Sequence, residues 1–460
     1  MDPHDVVSAW QEIFQTIIRI LERNAASTPT QPSGSNHNGS SHVRGKSFSS
    51  HSDTNISRKT TYKNRIFQYG SDGNHSICAT GDAHITFGYC TFIGQKNTND
   101  FFLLAQHNSH IEFRNCTFVS CNRFCQLRNS CKVTFLNCEF ENCLDTIVQT
   151  QPLSDARVIL RGCAWKVTGP NCTDDASERI AFHANGDGPI VFDGCHFKQS
   201  VPLSEHFELV RAEEGSDILY SGCTFSDVTF PVFTTAMIDC TFESCRCRLI
   251  TNTRQWSPLP ALVENCTFTK CSTCICAGFH AEINQCLFSE CSGQLICSFH
   301  PLGGVRIMDC DFVRCYSHGT EPDFLIAIDR RCVSTSKINK VSNCYFEDCS
   351  YANWPLIGDL GKTDKGYVGV IMGCKFVGCG HDESQIIHNV VQTDNYCGSF
   401  ASGDIGHYVR QSSKFLISDC TVDGEILNRN VSKTKYDTYE EFRYSANLAE
   451  IRRKIKECSQ

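Results

Sequence analysis

The sequence predicts an all-β chain, a parallel β-helix solenoid of about 13 coils with a short helix near each end. Two observations carry that expectation. The first is a motif that reads apolar-x-apolar-x-Asn-Cys-x-Phe-x-x-Cys in its fullest form, residues 111–121 (IEFRNCTFVSC). It returns with its first cysteine at 90, 116, 138, 163, 195, 223, 240, 266, 286, 310, 344, 374 and 420. The copies lie about 27 residues apart on average at unequal intervals, as expected of one supersecondary unit stacked on itself with insertions in its loops. The second is that the units hold three short apolar segments parted by bends, which describes three strands per coil, each pairing with its counterpart in the next.

Residues 1–24 come first. Val6, Trp10, Ile13, Phe14, Ile17 and Leu21 share one face of a helix. Such a face either docks on its own domain or, at the end of a loose tether, recruits a partner or a second copy. Residues 25–62 are rich in Ser, Thr, Asn, His and Gly, with almost nothing large and apolar, and read as a disordered linker. Its His37, His42 and His51 are too dispersed to form a metal site.

The array is expected over residues 63–425. Three residues before the first cysteine every copy is apolar, as at Phe87, Phe113, Phe135, Val263, Ile283 and Ile371. Two residues after it, Phe118, Phe140, Phe268, Phe288, Phe312, Phe346 and Phe376 continue a run broken only by Trp165 and Val422. In one continuous strand these two positions would face opposite sides, so the chain must bend between them to bury both. The residue just before the cysteine supplies the bend. In 11 of the 13 copies it is Asn115, Asn137, Asn265 or Asn343, Gly162, Gly194, Gly222 or Gly373, or Asp239, Asp309 or Asp419, types that tolerate a left-handed backbone.

A second cysteine follows five residues after the first. It pairs Cys116 with Cys121, Cys138 with Cys143, Cys240 with Cys245, Cys266 with Cys271, Cys286 with Cys291, Cys310 with Cys315, Cys344 with Cys349 and Cys374 with Cys379. Aliphatic pairs such as Leu295-Ile296, Leu325-Ile326 and Leu356-Ile357 supply the third segment. A leucine-rich repeat fits less well, because the recurring large residue is Phe and the L-x-x-L-x-L frame is absent.

The array resembles a right-handed parallel β-helix of the pectin-lyase-like superfamily. Its F-x-x-C signature (Phe118 to Cys121, Phe268 to Cys271, Phe346 to Cys349) is similar to the F-x-x-N repeats of chlamydial polymorphic outer-membrane proteins. The cysteine version resembles the Cys-rich β-helix repeat proteins of protists such as trichomonads. The resemblance implies the fold over about three quarters of the chain, and a surface-adhesin role if the protein is exported.

Longer insertions fall at about 166–189, 199–217, 316–339, 350–369 and 380–413, where loops are expected. Residues 426–460 read as a linker and a helix, with Thr438 and Glu441 forming a capping box ahead of an apolar stripe of Phe442 or Tyr444, Leu448, Ile451 and Ile455. An open β-helix end exposes strand edges, so this helix is expected to cap the rod.

Composition bounds the function. The net charge of -8 argues against a nucleic-acid or anionic-membrane partner. The chain has 32 cysteines, yet no signal-peptide pattern opens it and no apolar run is long enough to span a membrane. A reducing compartment, a cytoplasmic location and packed free thiols are therefore expected.

Polysaccharide lyases and hydrolases on this fold cluster carboxylates on one face. The candidates here are Asp174 with Asp175, Glu213 with Glu214, and His381-Asp382-Glu383, all loop groups of an ordinary kind. Cys271, Cys274 and Cys276 form one knuckle where zinc usually needs two. No cofactor is implied. The reading is a non-catalytic scaffold that presents loops and a tethered helix to protein partners. The alternative is a carbohydrate-binding or polysaccharide-active β-helix.

Overall fold

The motif sets a parity conflict, and the chain resolves it by turning a corner at every copy. In the computed structural model the residue before the first cysteine has positive φ in all 13 copies, from Tyr89 (54°) and Asn115 (50°) through Asn137 (51°) to Asp419 (56°). Tyr89 and Gln285 (52°) adopt this conformation without the side-chain chemistry that eases it, at a cost of about 1–2 kcal/mol each.

The structure describes residues 54–429 apart from loop segments, the longest being 169–178, 252–260, 329–338, 360–368 and 393–407, together with Ala449, Arg452, Arg453 and Glu457. The N-terminal helix expected over 1–24 and the linker up to residue 53 lie outside the described residues.

Three columns of strands make the rod, a parallel β-helix. The first runs from Thr60–Lys63 to Phe415–Val422, in register throughout: Phe87 lies beside Phe113, and Phe113 beside Phe135. The second begins at Ile66–Gln68 and reaches Lys375–Val377, aligning Phe67 with Phe92, Phe118 with Phe140, and Phe346 with Phe376. The strand Phe415–Val422 pairs with Gly369–Met372 through its first half and with Lys375–Val377 through its second, which joins the two columns into one 28-stranded sheet. The third column comprises a seven-stranded sheet starting at Thr54–Ile56 and an eight-stranded sheet starting at Val232–Thr234. Two antiparallel pairings, Glu425–Arg429 on Phe415–Val422 and Tyr408–Gln411 on Ile387–Gln392, reverse the chain direction at the C-terminal end.

Two boundaries differ from expectation. Residues 54–62 are not linker: Thr54–Ile56 and Thr60–Lys63 pair with the coil that follows, and Ile56 is buried. This first coil keeps the frame with Tyr62 and Phe67 about a left-handed Asn64 (52°), but carries Arg65 where the others have cysteine. The insertions are also not wholly loop. Arg179–Ala184, Phe207–Ala212, Ile326–Ile328, Ile357–Asp359 and Ile387–Gln392 lie within them and supply the third column.

The core is a set of aromatic and aliphatic columns. Along the second column rings stack at close to the strand spacing: Phe225 on Phe242 at 4.5 Å, Phe242 on Phe268 and Phe268 on Phe288 at 4.7 Å, and Phe288 on Phe312 at 4.8 Å. In the N-terminal third the first column is aromatic too, and its rings meet the second column edge-on, as Phe113 meets Phe118 at 5.5 Å. Further along, Val263, Ile283, Ile307 and Val341 replace them and stay buried. Ring on ring is a favoured aromatic geometry, so the constant Phe gives both burial and alignment.

Candidate binding surface

Each coil has two corners, and the residues there decide what the rod shows outside and hides inside. At the first corner the cysteine points in. Cys116 donates its thiol proton to the carbonyls of Phe87 in the preceding coil and Arg114 in its own, both at 3.4 Å. Cys138 does the same to Phe113 and Leu136, and Cys310, Cys344 and Cys374 repeat the pattern toward Ile283, Ile307 and Val341. Cys266 and Cys286 reach Met237 and Val263.

At the second corner the acceptor is the phenylalanine carbonyl of the preceding coil. Cys143 reaches Phe118, Cys271 Phe242, Cys291 Phe268, Cys315 Phe288 and Cys349 Phe312, and Cys121 reaches Phe92, at 3.3–3.5 Å. Cys379 is buried as well and donates to Val377. All 27 described cysteines are free thiols, and only Cys78 and Cys276 are half-buried rather than buried. Burial pushes the thiols of Cys143, Cys266 and Cys310 well above the ordinary thiol value, so they stay protonated donors at neutral pH.

The metal candidates separate on this framework. Cys271 is a buried corner residue, whereas Cys276 sits in the third column with its sulfur 3.5 Å from that of Cys297. The side chain of Cys274 lies outside the described residues. Among the described residues no group of three or more His, Cys, Asp or Glu side chains converges as a metal site. Asp174 and Asp175, Glu213 and Glu214, and His381, Asp382 and Glu383 also lie outside the described residues.

What the sequence did not reveal is the row outside the second corner. The residue before the second cysteine is left-handed too: Ser120 (48°), Asn142 (52°), Ser244 (54°), Lys270 (53°), Glu290 (54°), Arg314 (52°) and Asp348 (49°). Four consecutive coils therefore carry Lys270, Glu290, Arg314 and Asp348 one above the next, alternating in charge. Glu290 accepts from Arg314 at 2.9 Å and lies 4.0 Å from Lys270. With Ser292, Tyr316 and Ser350 these four line an open groove of about 680 Å³. Tyr316 is 37% exposed, and its strand Tyr316–Ser317 pairs in parallel with Ser350–Tyr351. Long charged side chains at left-handed positions are strained where Asn, Asp or Gly would be relaxed. The only sequence signal was position, one residue before each second cysteine.

A different cluster lies on the outward face of the first column near its N-terminal end. Glu112, 7% exposed, accepts from Arg114 at 2.6 Å and lies 4.0 Å from His84, whose ring stacks on His110 at 4.7 Å. Burial, then the neighbouring His84 and Lys132, lower the affinity of His110 for a proton.

The columns, corners and register define the chain as a parallel β-helix repeat protein. No protein-family model matches it, and no curated protein matches it. Among solved structures it is similar to a mannuronic acid-specific polysaccharide family 6 lyase from the human gut microbiota, at 10% identity, 84% of this chain, 85% of that one and a TM-score of 0.31.

Proposed function

We propose that the chain is a non-catalytic β-helical rod that binds a protein partner along the second-corner groove of Lys270, Glu290, Arg314, Tyr316 and Asp348. One observation supports this reading. Three successive coils place Lys270, Glu290 and Arg314 at a backbone conformation that disfavours them, although exposed ion pairs such as theirs repay only about 0–1 kcal/mol. Strain held in a contiguous, solvent-facing patch beside an exposed tyrosine fits a recognition surface better than a fold requirement. Alternating charge at the coil spacing suits an extended protein segment of complementary pattern. The protein belongs, on this reading, with Cys-rich F-x-x-C repeat rods of a reducing, cytoplasmic environment. The N-terminal helix at 1–24 offers a second means of recruitment or self-association.

A glycan reading is favoured by the exposed ring of Tyr316 between the hydroxyls of Ser292 and Ser350, an arrangement that accepts a sugar face. The immobilised full-length chain, offered candidate proteins and a glycan array in parallel, separates the two. A protein whose retention falls in a Lys270→Glu, Arg314→Glu variant supports the first reading, and a glycan lost in Tyr316→Ala supports the second. Binding of either kind that ignores all three substitutions refutes the groove. Release of reducing sugar that is abolished by changing Asp174 and Asp175 would overturn the non-catalytic reading.

A further inference from the structure

The outward face of the first column carries a stripe that water should reject. Ile159, Val191, Leu219, Ala236, Ile238 and Leu262 point away from the β-helix interior, form a cluster of their own, and are each at most 3% exposed. On the same face Glu264, Glu282 and Asn284 are 3–4% exposed. A solvated outer face of a sheet alternates to polar residues that stay wet, so another part of the structure covers this one.

Arg452 identifies the cover. Its Nη2 stands 3.7 Å from Glu264 Oε1, and Glu264 is two residues from Leu262 on the same strand, Ala261–Glu264. Ala449, Arg452, Arg453 and Glu457 are all exposed, and Arg453 pairs with Glu457 four residues on. On a helix those four share one side, which leaves Tyr444, Leu448, Ile451 and Ile455 on the opposite side. The charge match is local: Arg452 meets Glu264, whereas Glu282 is held by Arg306 at 3.4 Å. Reach agrees: from Arg429 back to the coil of Glu264 is about 24 Å, or five coils, within the span of residues 430–437 and the first turns of a helix.

We propose that residues 438–457 fold back as an amphipathic helix onto the outward face of the first column. Arg452 is seated on Glu264, and the apolar side of the segment is turned toward the stripe. The segment is then a clasp along the rod's flank rather than a cap over its end. It also closes, within the chain, the apolar surface most able to recruit a partner or a second copy.

The test is made on the full chain with a protease site placed between residues 430 and 437. After cleavage the fragment beginning near residue 438 is expected to co-elute with the rod. Arg452→Glu is expected to weaken its retention about tenfold, and adding Glu264→Arg to that variant to restore it. Leu262→Asp is expected to release the fragment, and Leu287→Asp, on the exposed side of the second column, to leave it bound. Should Leu262→Asp fail to fold, the charge exchange still decides the matter. A fragment that leaves the parent rod freely overturns the proposal, as does retention unchanged by Arg452→Glu. So does release by Val191→Asp but not by Leu262→Asp. Retention seen only at concentrations where the chain is dimeric assigns the face to a second copy instead, and also overturns it.

Discussion

Replacing Phe268 by alanine removes one rung from the stacked column and tests whether that column holds the rod together. The ring is 1% exposed and lies between two others, Phe242 at 4.7 Å and 13° and Phe288 at 4.7 Å and 4°. Truncating a buried Phe costs about 3–5 kcal/mol in lost transfer energy and residual cavity. The two stacked pairs place this site at the upper end, since each contributes about 0.5–1.5 kcal/mol beyond burial. Phe268→Leu separates the parts: it keeps most of the apolar volume and forfeits the two stacks, so it should cost about 1–3 kcal/mol. Leu287→Ala, next in sequence to the partner ring Phe288 and 37% exposed, should stay within about 0.5 kcal/mol. Urea unfolding followed by far-UV circular dichroism measures all three, with hydrogen exchange locating the weakened coils, because a repeat array can open locally before it unfolds. A loss below about 1 kcal/mol for Phe268→Ala, or equal losses for alanine and leucine, would refute the argument that stacking and burial act together here.

Other expectations follow from the corners and the outer face. Asn265→Ala, at φ 50° and donating to Asp239 at 2.6 Å, should lower stability by about 1–2 kcal/mol, whereas Gln285→Asn at φ 52° should raise it by about 0.5–1 kcal/mol; matched urea midpoints would contradict both. Of the 27 described thiols, only Cys78 and Cys276 should react quickly with a bulky disulfide reagent in the native protein, and all 32 should react after denaturation without reductant. Extensive oxidation in the denatured sample would move the protein to an oxidising compartment. His110 binds its proton less readily when folded than when unfolded. The unfolded chain therefore takes up more protons as pH falls through about 6.5, and stability drops in that window. Glu112 opposes this effect, while His84 and Lys132 reinforce it. His110→Gln should flatten the profile, and an unchanged slope would remove His110 as its source.

Much of the fold was legible because one physical conflict repeats. Apolar residues at both parities around an Asn, Gly or Asp admit few solutions other than a corner, and the structure turns one at each copy. The first coil escaped notice since Arg65 replaces the cysteine used for alignment, although Tyr62, Asn64 and Phe67 keep the frame. The second corner escaped for a different reason. Lys270, Glu290 and Arg314 are not residue types that announce a left-handed backbone, and only the folded chain brings them into one conformation and one groove. The outward stripe was hidden as well: Ile159, Val191, Leu219 and Leu262 look, by composition, like more of the interior. In a β-helix, parity relative to the corner decides which side a residue faces, and parity alone puts them outside.

The cysteines have a reason beyond size. An inward residue at a corner must be small enough to leave room for the aromatic column, yet the carbonyls of the preceding coil stand within reach, as Phe87 does for Cys116 and Phe268 for Cys291. Alanine would fit without donating. Serine would donate more strongly but brings a hydroxyl that pays a larger desolvation penalty in an apolar column. A thiol is a weak donor with little to lose on burial, and at a corner such as Cys143 burial pushes it well above the ordinary thiol value. Stacked at coil spacing, the same choice is repeated from Cys90 to Cys420, so an oxidising environment would threaten the whole ladder rather than one site. Neighbouring thiols at strand spacing lie close enough for oxidation to pull rungs out of register.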